Sequence, residues 1–236
     1  MKLACSSTAF NRHLVDGDLT QIEWIELCAR ELAADGVVLD VRHFPRPDSD
    51  YLAQIKKMAA DLGLTVAALR DDGFFAGDET GMRAALQTAI AVGAPLLAAA
   101  LPEQTAASWP DVLKRLGIAT SLAKHLNVTL AVRNAAGSFA ATTHDCKRVS
   151  KEADSAWLRF GPDFLGFDGA SEPASLLPNT VLAWHDRSKA IDGLIPLLCE
   201  YRGFMVIDDA AGAATTAQVR DAFDALRVAF VGTDRT

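Results

Sequence analysis

Six polar or charged side chains stand at the ends of short apolar runs, Asp40, Arg70, Arg133, Asp168, His185 and Asp208, although they are scattered over 236 residues. A histidine changes charge near neutral pH, so His185 can be a metal ligand, a general base or an imidazole satisfied by a neighbouring carboxylate. Arginine stays protonated and presents a planar fork of donors. Arg133 can therefore neutralise Asp168 or Asp208, or grip the carboxylate or phosphate of an anionic ligand, and the two uses can coexist. Asp40, Arg42 and His43, with Arg70 and Asp71, either border the same site or make surface salt bridges.

Those residues can meet only if the elements carrying them point the same way. Apolar runs alternate with amphipathic stretches about eight times. The runs are Lys2 to Ser6, VVLD after Gly36, LTVAAL, LLAAA after Pro95, VTLAV, FLGFD, VLAWH and FMVID. Between them the spacing predicts helices over about 20–33, 50–62, 78–92, 110–125, 143–153, 188–201 and 216–230, with Asp18 or Thr20 capping the first and Gly63 closing the second. Pro173 and Pro178 reduce the sixth crossover to a short turn. An open doubly wound sheet carries a glycine fingerprint after its first strand, and CSSTAFNRH has no glycine. The pattern predicts an α/β fold, a single (β/α)8 TIM barrel over residues 1–236. In such a barrel the C-terminal ends of the strands share one face, where the six residues converge.

Composition narrows the partners. Half of the residues are apolar, enough for one core, and the net charge of -7 is spread without a basic stripe, which argues against nucleic acid. Cys5, Cys28, Cys146 and Cys199 lie far apart with no CxxC spacing, as expected of a reducing cytoplasm. The start, MKLACSSTAFNRH, is too weakly apolar for a secretion signal, and the apolar stretch from Ala84 to Leu101 is broken by Gln87, Gly93 and Pro95, so no membrane span is expected. Barrels of this kind often self-associate, and a homo-oligomer is compatible with the reading. Phe10, Phe44, Phe74, Phe75 and Trp109 fall in the loops, where they either wall a pocket or pack the loops themselves.

The ordered segments MKLACSS, DGVVLDVRHF, LGLTVAAL, AVGAPLL, NVTLAVRN, FDGAS, AWHDRS and FMVIDD resemble the sugar phosphate isomerase/epimerase family, the xylose isomerase-like TIM barrels that include the AP endonuclease type 2 relatives. The resemblance implies a Mn²⁺, Mg²⁺ or Zn²⁺ ion held by a Glu ending strand five, an acid ending strand six, a His ending strand seven and a Glu ending strand eight, with a glutamate moving a proton beside a carbonyl. Carried over, the last three positions are Asp168, His185 and Asp208. The first is Arg133, because the family's approximate LAVEN reads Leu130, Ala131, Val132, Arg133, Asn134 here. An arginine cannot coordinate a cation, so the inherited metal site is expected to be degenerate and to need no cofactor.

The resulting expectation is an isomerase or epimerase acting on a small sugar or sugar phosphate through His185, Asp208 and Arg133, with Arg133, Asn134, His43, Asp40 and Arg70 on the substrate. The alternative is a non-catalytic carbohydrate- or anion-binding, regulatory barrel that lost the metal. Asp186 and Asp209 follow their strand partners directly, so alternation is expected to turn them away from the axis. The small-residue loop AAGAATT before the last helix could admit an anion.

Overall fold

A computed structural model describes residues 1–167, 172–198 and 201–231. Among them, eight strands run parallel: β1 (Lys2–Ser6), β2 (Gly36–Asp40), β3 (Thr65–Arg70), β4 (Leu96–Ala100), β5 (Thr129–Arg133), β6 (Leu158–Phe160), β7 (Leu182–Asp186) and β8 (Phe204–Asp208). Their order is β6-β5-β4-β3-β2-β1-β8-β7. The ends of this sheet meet at an irregular seam, where Val181 N–H donates to the Phe160 carbonyl at 3.0 Å and Trp184 N–H to that of Pro162 at 2.8 Å. The sheet is thus a nearly closed (β/α)8 barrel.

Covering the outside are α1 (Asn11–Asp16), α2 (Gln21–Arg30), α3 (Ser49–Asp61), α4 (Glu79–Val92), α5 (Trp109–Leu126), α6 (Thr143–Ala153), α7 (Ile195–Leu198) and α8 (Thr216–Val231). Local chemistry sets their starts. Thr20 and Glu23 form a capping box on α2, Thr142 and Asp145 another on α6, and Asp48, Asp78 and Ser108 cap α3, α4 and α5. Gly93 ends α4 in the left-handed conformation at φ 81°, which a side chain would strain.

Two expectations about the elements need correction. FLGFD, expected as strand six, lies beyond the strand: β6 is the short Leu158–Phe160, and Phe164 and Leu165 form a turn that follows it. The helix expected over 188–201 is helical among the described residues only at Ile195–Leu198. A 3-10 turn over Ser7–Phe10 and the short α1 precede α2, and neither carried a periodic signal. In the loops, Phe10, Phe74 and Phe75 are buried, so they pack the framework.

The barrel interior fixes which way each strand presents its residues. Ala4, Val38, Ala68, Ala98, Ala131, Leu182, Trp184 and Val206 pack inside as one buried cluster. Their neighbours Cys5, Val37, Leu39, Leu97, Val132, Ala183 and Ile207 belong to the larger core between sheet and helices. Counting on by two from the inner residues brings Ser6, Asp40, Arg70, Ala100, Arg133, Asp186 and Asp208 to the inner side at the C-terminal rim.

At the opposite end, Gly36 lets β2 lie against β3: a Cβ there would come 2.6 Å from the Thr65 carbonyl oxygen and 2.9 Å from Phe204 Cε1. Gly36→Ala is expected to lower the unfolding free energy by about 2 kcal/mol, as overpacking against backbone does, read from the urea midpoint. An unchanged midpoint would mean that the two strands separate freely at that end.

Candidate active site

The rim residues surround a cavity of about 540 Å³, within the range of small-molecule sites. Its floor is Trp184, whose side chain rises on the axis from β7. The Arg133 guanidinium, from the end of β5, stacks over this indole with Cζ 4.2 Å from the ring centroid, and the Arg70 guanidinium, from β3, stands 5.7 Å away. Such contacts reach about 2 kcal/mol when desolvated.

Two carboxylates hold the pair of like charges together. Asp72, in the loop after β3, accepts from Arg70 Nη2 at 2.6 Å and Nε at 2.9 Å with Oδ2, and from Arg133 Nη1 at 3.4 Å with Oδ1. Asp208, ending β8, accepts from the Thr8 hydroxyl at 2.5 Å, from the Asp209 N–H at 2.9 Å and from Arg70 Nη1 at 3.2 Å, with Arg133 Nη2 3.9 Å from Oδ2. Burial pushes the Asp72 carboxyl up, but Arg70 and Arg133 outweigh it and hold it below the ordinary value. Burial, then the neighbouring Arg70, pull Arg133 down against the acids around it, without bringing an arginine near neutrality.

Across the cavity stands Asp163, in the turn that follows β6. Its backbone is clamped by Asn134, which accepts from the Asp163 N–H at 2.8 Å and donates to its carbonyl at 3.0 Å. Its side chain accepts from Lys189 Nζ at 2.7 Å and from the Leu165 N–H at 3.0 Å. Asp163 follows the end of β6 by three residues and is not the acid expected at that strand. Asp168 itself lies outside the described residues.

Of the other expected residues, Arg133, Asn134, Arg70 and Asp208 line the cavity, and Asn134 does so as a framework group. Asp40 and His43 lie one layer beneath. Asp40, 2% exposed, takes Arg42 Nε and Nη2 at 3.0 and 2.8 Å. His43 bonds Ser7 Oγ at 2.8 Å and Asn11 Oδ1 at 3.0 Å, and burial lowers its pKa.

His185 is the main correction. It sits between the inward Trp184 and Asp186 and is buried on the helix side of β7, away from the cavity lining, with no partner for Nδ1 among the described residues. Burial lowers its pKa against the pull of Asp163 and Asp186. Asp186 and Asp209, expected to turn away, both line the cavity. Asp186 accepts from the Ser188 N–H at 2.8 Å, the Ser188 hydroxyl at 2.6 Å and the Ala210 N–H at 3.0 Å. Asp209 faces Arg187 Nε at 3.2 Å and accepts from the Ala213 N–H at 2.9 Å. Asp72, Asp163, Trp184 and Lys189 had not been anticipated; the one available signal was a lone tryptophan amid alanine-rich strands.

Among the described residues, no three His, Cys, Asp or Glu side chains are placed together as metal ligands. Nor is any helix among them long and apolar enough to cross a membrane.

No protein-family model matches this chain, and no curated protein does. Solved structures match it nearly end to end. A probable 3-DHS dehydratase from Bacillus anthracis superposes with a TM-score of 0.79 at 12% identity, covering 96% of this chain and 99% of that one. The 3-keto-D-glucoside 4-epimerase from E. coli gives 0.73 at 18% identity over 97% and 99%. The D-allulose 3-epimerase from Methylomonas sp., in complex with D-allulose, gives 0.74 at 11% identity over 97% and 96%. At these identities the likeness is one of fold, and the fold is that of the xylose isomerase-like TIM barrels, which sugar epimerases and a dehydratase share.

Asp186 provides a test of the rim geometry. Burial raises its carboxyl, but the Ser188 hydroxyl and the Ser188 and Ala210 amides lower it below 3.8. A depressed folded value stabilises the native state above the unfolded value and loses that contribution as pH falls through the folded one. Asp186→Asn is expected to cost about 1 kcal/mol at pH 7, with the gap to the parent protein steady down to about pH 5 and closing below 3.8. Denaturant melts across pH check it; a gap that persists in acid would show that Asp186 is not held as an anion.

Proposed function

We propose that this barrel binds a small carbohydrate and carries an isomerase- or epimerase-like site in which arginines replace the metal. The observation that carries the reading is Arg133, stacked 4.2 Å over Trp184 at the end of β5. The residues present do not fit a divalent cation. Two guanidiniums share the floor, and the carboxylates nearest them, Asp72 and Asp208, are already bound to them. A divalent ion about 4 Å from Arg133 would be repelled by several kcal/mol even at an effective dielectric near 20.

Arg133 can supply the electrophile itself. A guanidinium aimed at a sugar carbonyl stabilises the negative charge that develops on oxygen when an adjacent C–H is lost. Asp163 then accepts that proton, held in place by Asn134 and facing Lys189, whose ammonium can return one to oxygen. The structural neighbours that are sugar epimerases support this general kind of chemistry.

A second reading, the non-catalytic sugar- or anion-binding barrel, draws on a specific feature. Asp163, Asp186 and Asp208 all accept hydrogen bonds from the protein's own donors, which occupy oxygens that a general base would need for the incoming proton.

One experiment separates the two. Metal-stripped protein in deuterium oxide is incubated with common ketoses, aldoses and their phosphates, and carbon-bound exchange is followed by NMR. Exchange that survives chelator and falls at least about a hundredfold in Asp163→Asn is the expected result. Binding without exchange favours the second reading, and exchange that requires added Mn²⁺ or Zn²⁺ overturns the proposal. Elemental analysis is expected to find no stoichiometric divalent metal in the parent protein and measurable Mn²⁺ affinity in Arg133→Glu.

A further inference from the structure

The cavity's hydrogen-bonding inventory is lopsided. Its carboxylates are satisfied from within: Asp208 by Thr8, Asp209 N–H and Arg70, Asp186 by Ser188 and Ala210, Asp209 by Ala213 N–H, Asp163 by Leu165 N–H and Lys189. The cations are not. Among the described residues, Arg133 makes one hydrogen bond, at 3.4 Å to Asp72, and its Nε and Nη2 make none, although its side chain is only 16% exposed. Lys189 likewise spends one N–H on Asp163. Arg70 and Arg42, by contrast, are clasped by Asp72 and Asp40.

A pocket with spare donors and occupied acceptors selects a ligand that brings acceptors. A guanidinium fork with one face on an indole matches two coplanar oxygens. The charges lining the cavity balance, with Arg42, Arg70, Arg133 and Lys189 against Asp163, Asp186, Asp208 and Asp209, so a ligand with a single negative charge, met by the uncommitted donors of Arg133, is resisted less than the two charges of a phosphate ester. We infer that the ligand is an acidic sugar, a uronate or aldonate, whose carboxylate seats on Arg133 above Trp184 while Lys189 meets its hydroxyls. The inference rests on the carbohydrate reading above and specifies its ligand class.

Calorimetric titration of the intact protein with D-glucuronate, D-galacturonate and D-gluconate, beside D-glucose, D-galactose, D-glucose 6-phosphate and L-malate, tests it. At least one acidic sugar is expected to bind about tenfold or more tighter than its neutral parent, with a change in tryptophan fluorescence absent from Trp184→Phe. Arg133→Lys keeps the charge but not the fork, and is expected to bring the preference for acid over neutral sugar to about one, circular dichroism confirming that it folds. Equal binding of neutral parents, stronger binding of the 6-phosphate, or no binding of any acid overturns the inference. Neutral sugars bound alone would leave the carbohydrate reading standing, whereas malate bound through Arg133 with no sugar bound would leave the carboxylate seat and remove the carbohydrate.

Discussion

A guanidinium placed over an indole at the mouth of the barrel governs the rest of the site. Two arginines this close repel each other, and the partial withdrawal of Arg133 from water adds a desolvation cost. Both are met by the same means: Asp72 and Asp208 each face both arginines, and Trp184 offers its π face to both. Removing either acid would leave more positive charge than the floor can hold, which explains why Thr8 and the Asp209 N–H in turn fix Asp208.

The barrel interior makes room for that indole. Layers of large branched side chains usually fill a barrel of this size, but here Ala4, Ala68, Ala98 and Ala131 come from four strands to the level of Trp184, and one large ring replaces several smaller groups. Gly161 completes the fit, since a Cβ there would stand 3.2 Å from Trp184 Nε1 and 3.6 Å from the Ala131 Cβ. The fit has a cost: Trp184 Nε1 is buried with no acceptor among the described residues, a loss of about 1–3 kcal/mol accepted where shape positions the ring.

Most of the framework is legible from sequence, because seven apolar runs are long enough to be read as strands and Thr20 and Gly63 mark helix ends. β6 is not, since LRF offers three residues with a charge in the middle while FLGFD next to it imitates a buried strand. The facing of His185 fails for a different reason. Parallel strands buried on both sides are apolar throughout, so LAWHD contains no alternation from which to tell inside from outside. Only the packing of Leu182 and Trp184 against the alanines decides it, and that decision exchanges His185 for Asp186.

That exchange reshapes the chemistry available. With the imidazole on the helix side of β7, no group lining the cavity among the described residues has an ordinary pKa near neutrality, so a carbon-bound proton would have to be taken by a carboxylate already bonded to donors. Such carboxylates are weak bases, and a weak base removes a carbon-bound proton only if the carbanion is strongly stabilised. The burden of stabilisation therefore falls on Arg133, the guanidinium lining the cavity with most of its donors uncommitted among the described residues. On the carbohydrate reading proposed above, turnover as against mere binding is set by how closely the ligand's oxygens approach that guanidinium.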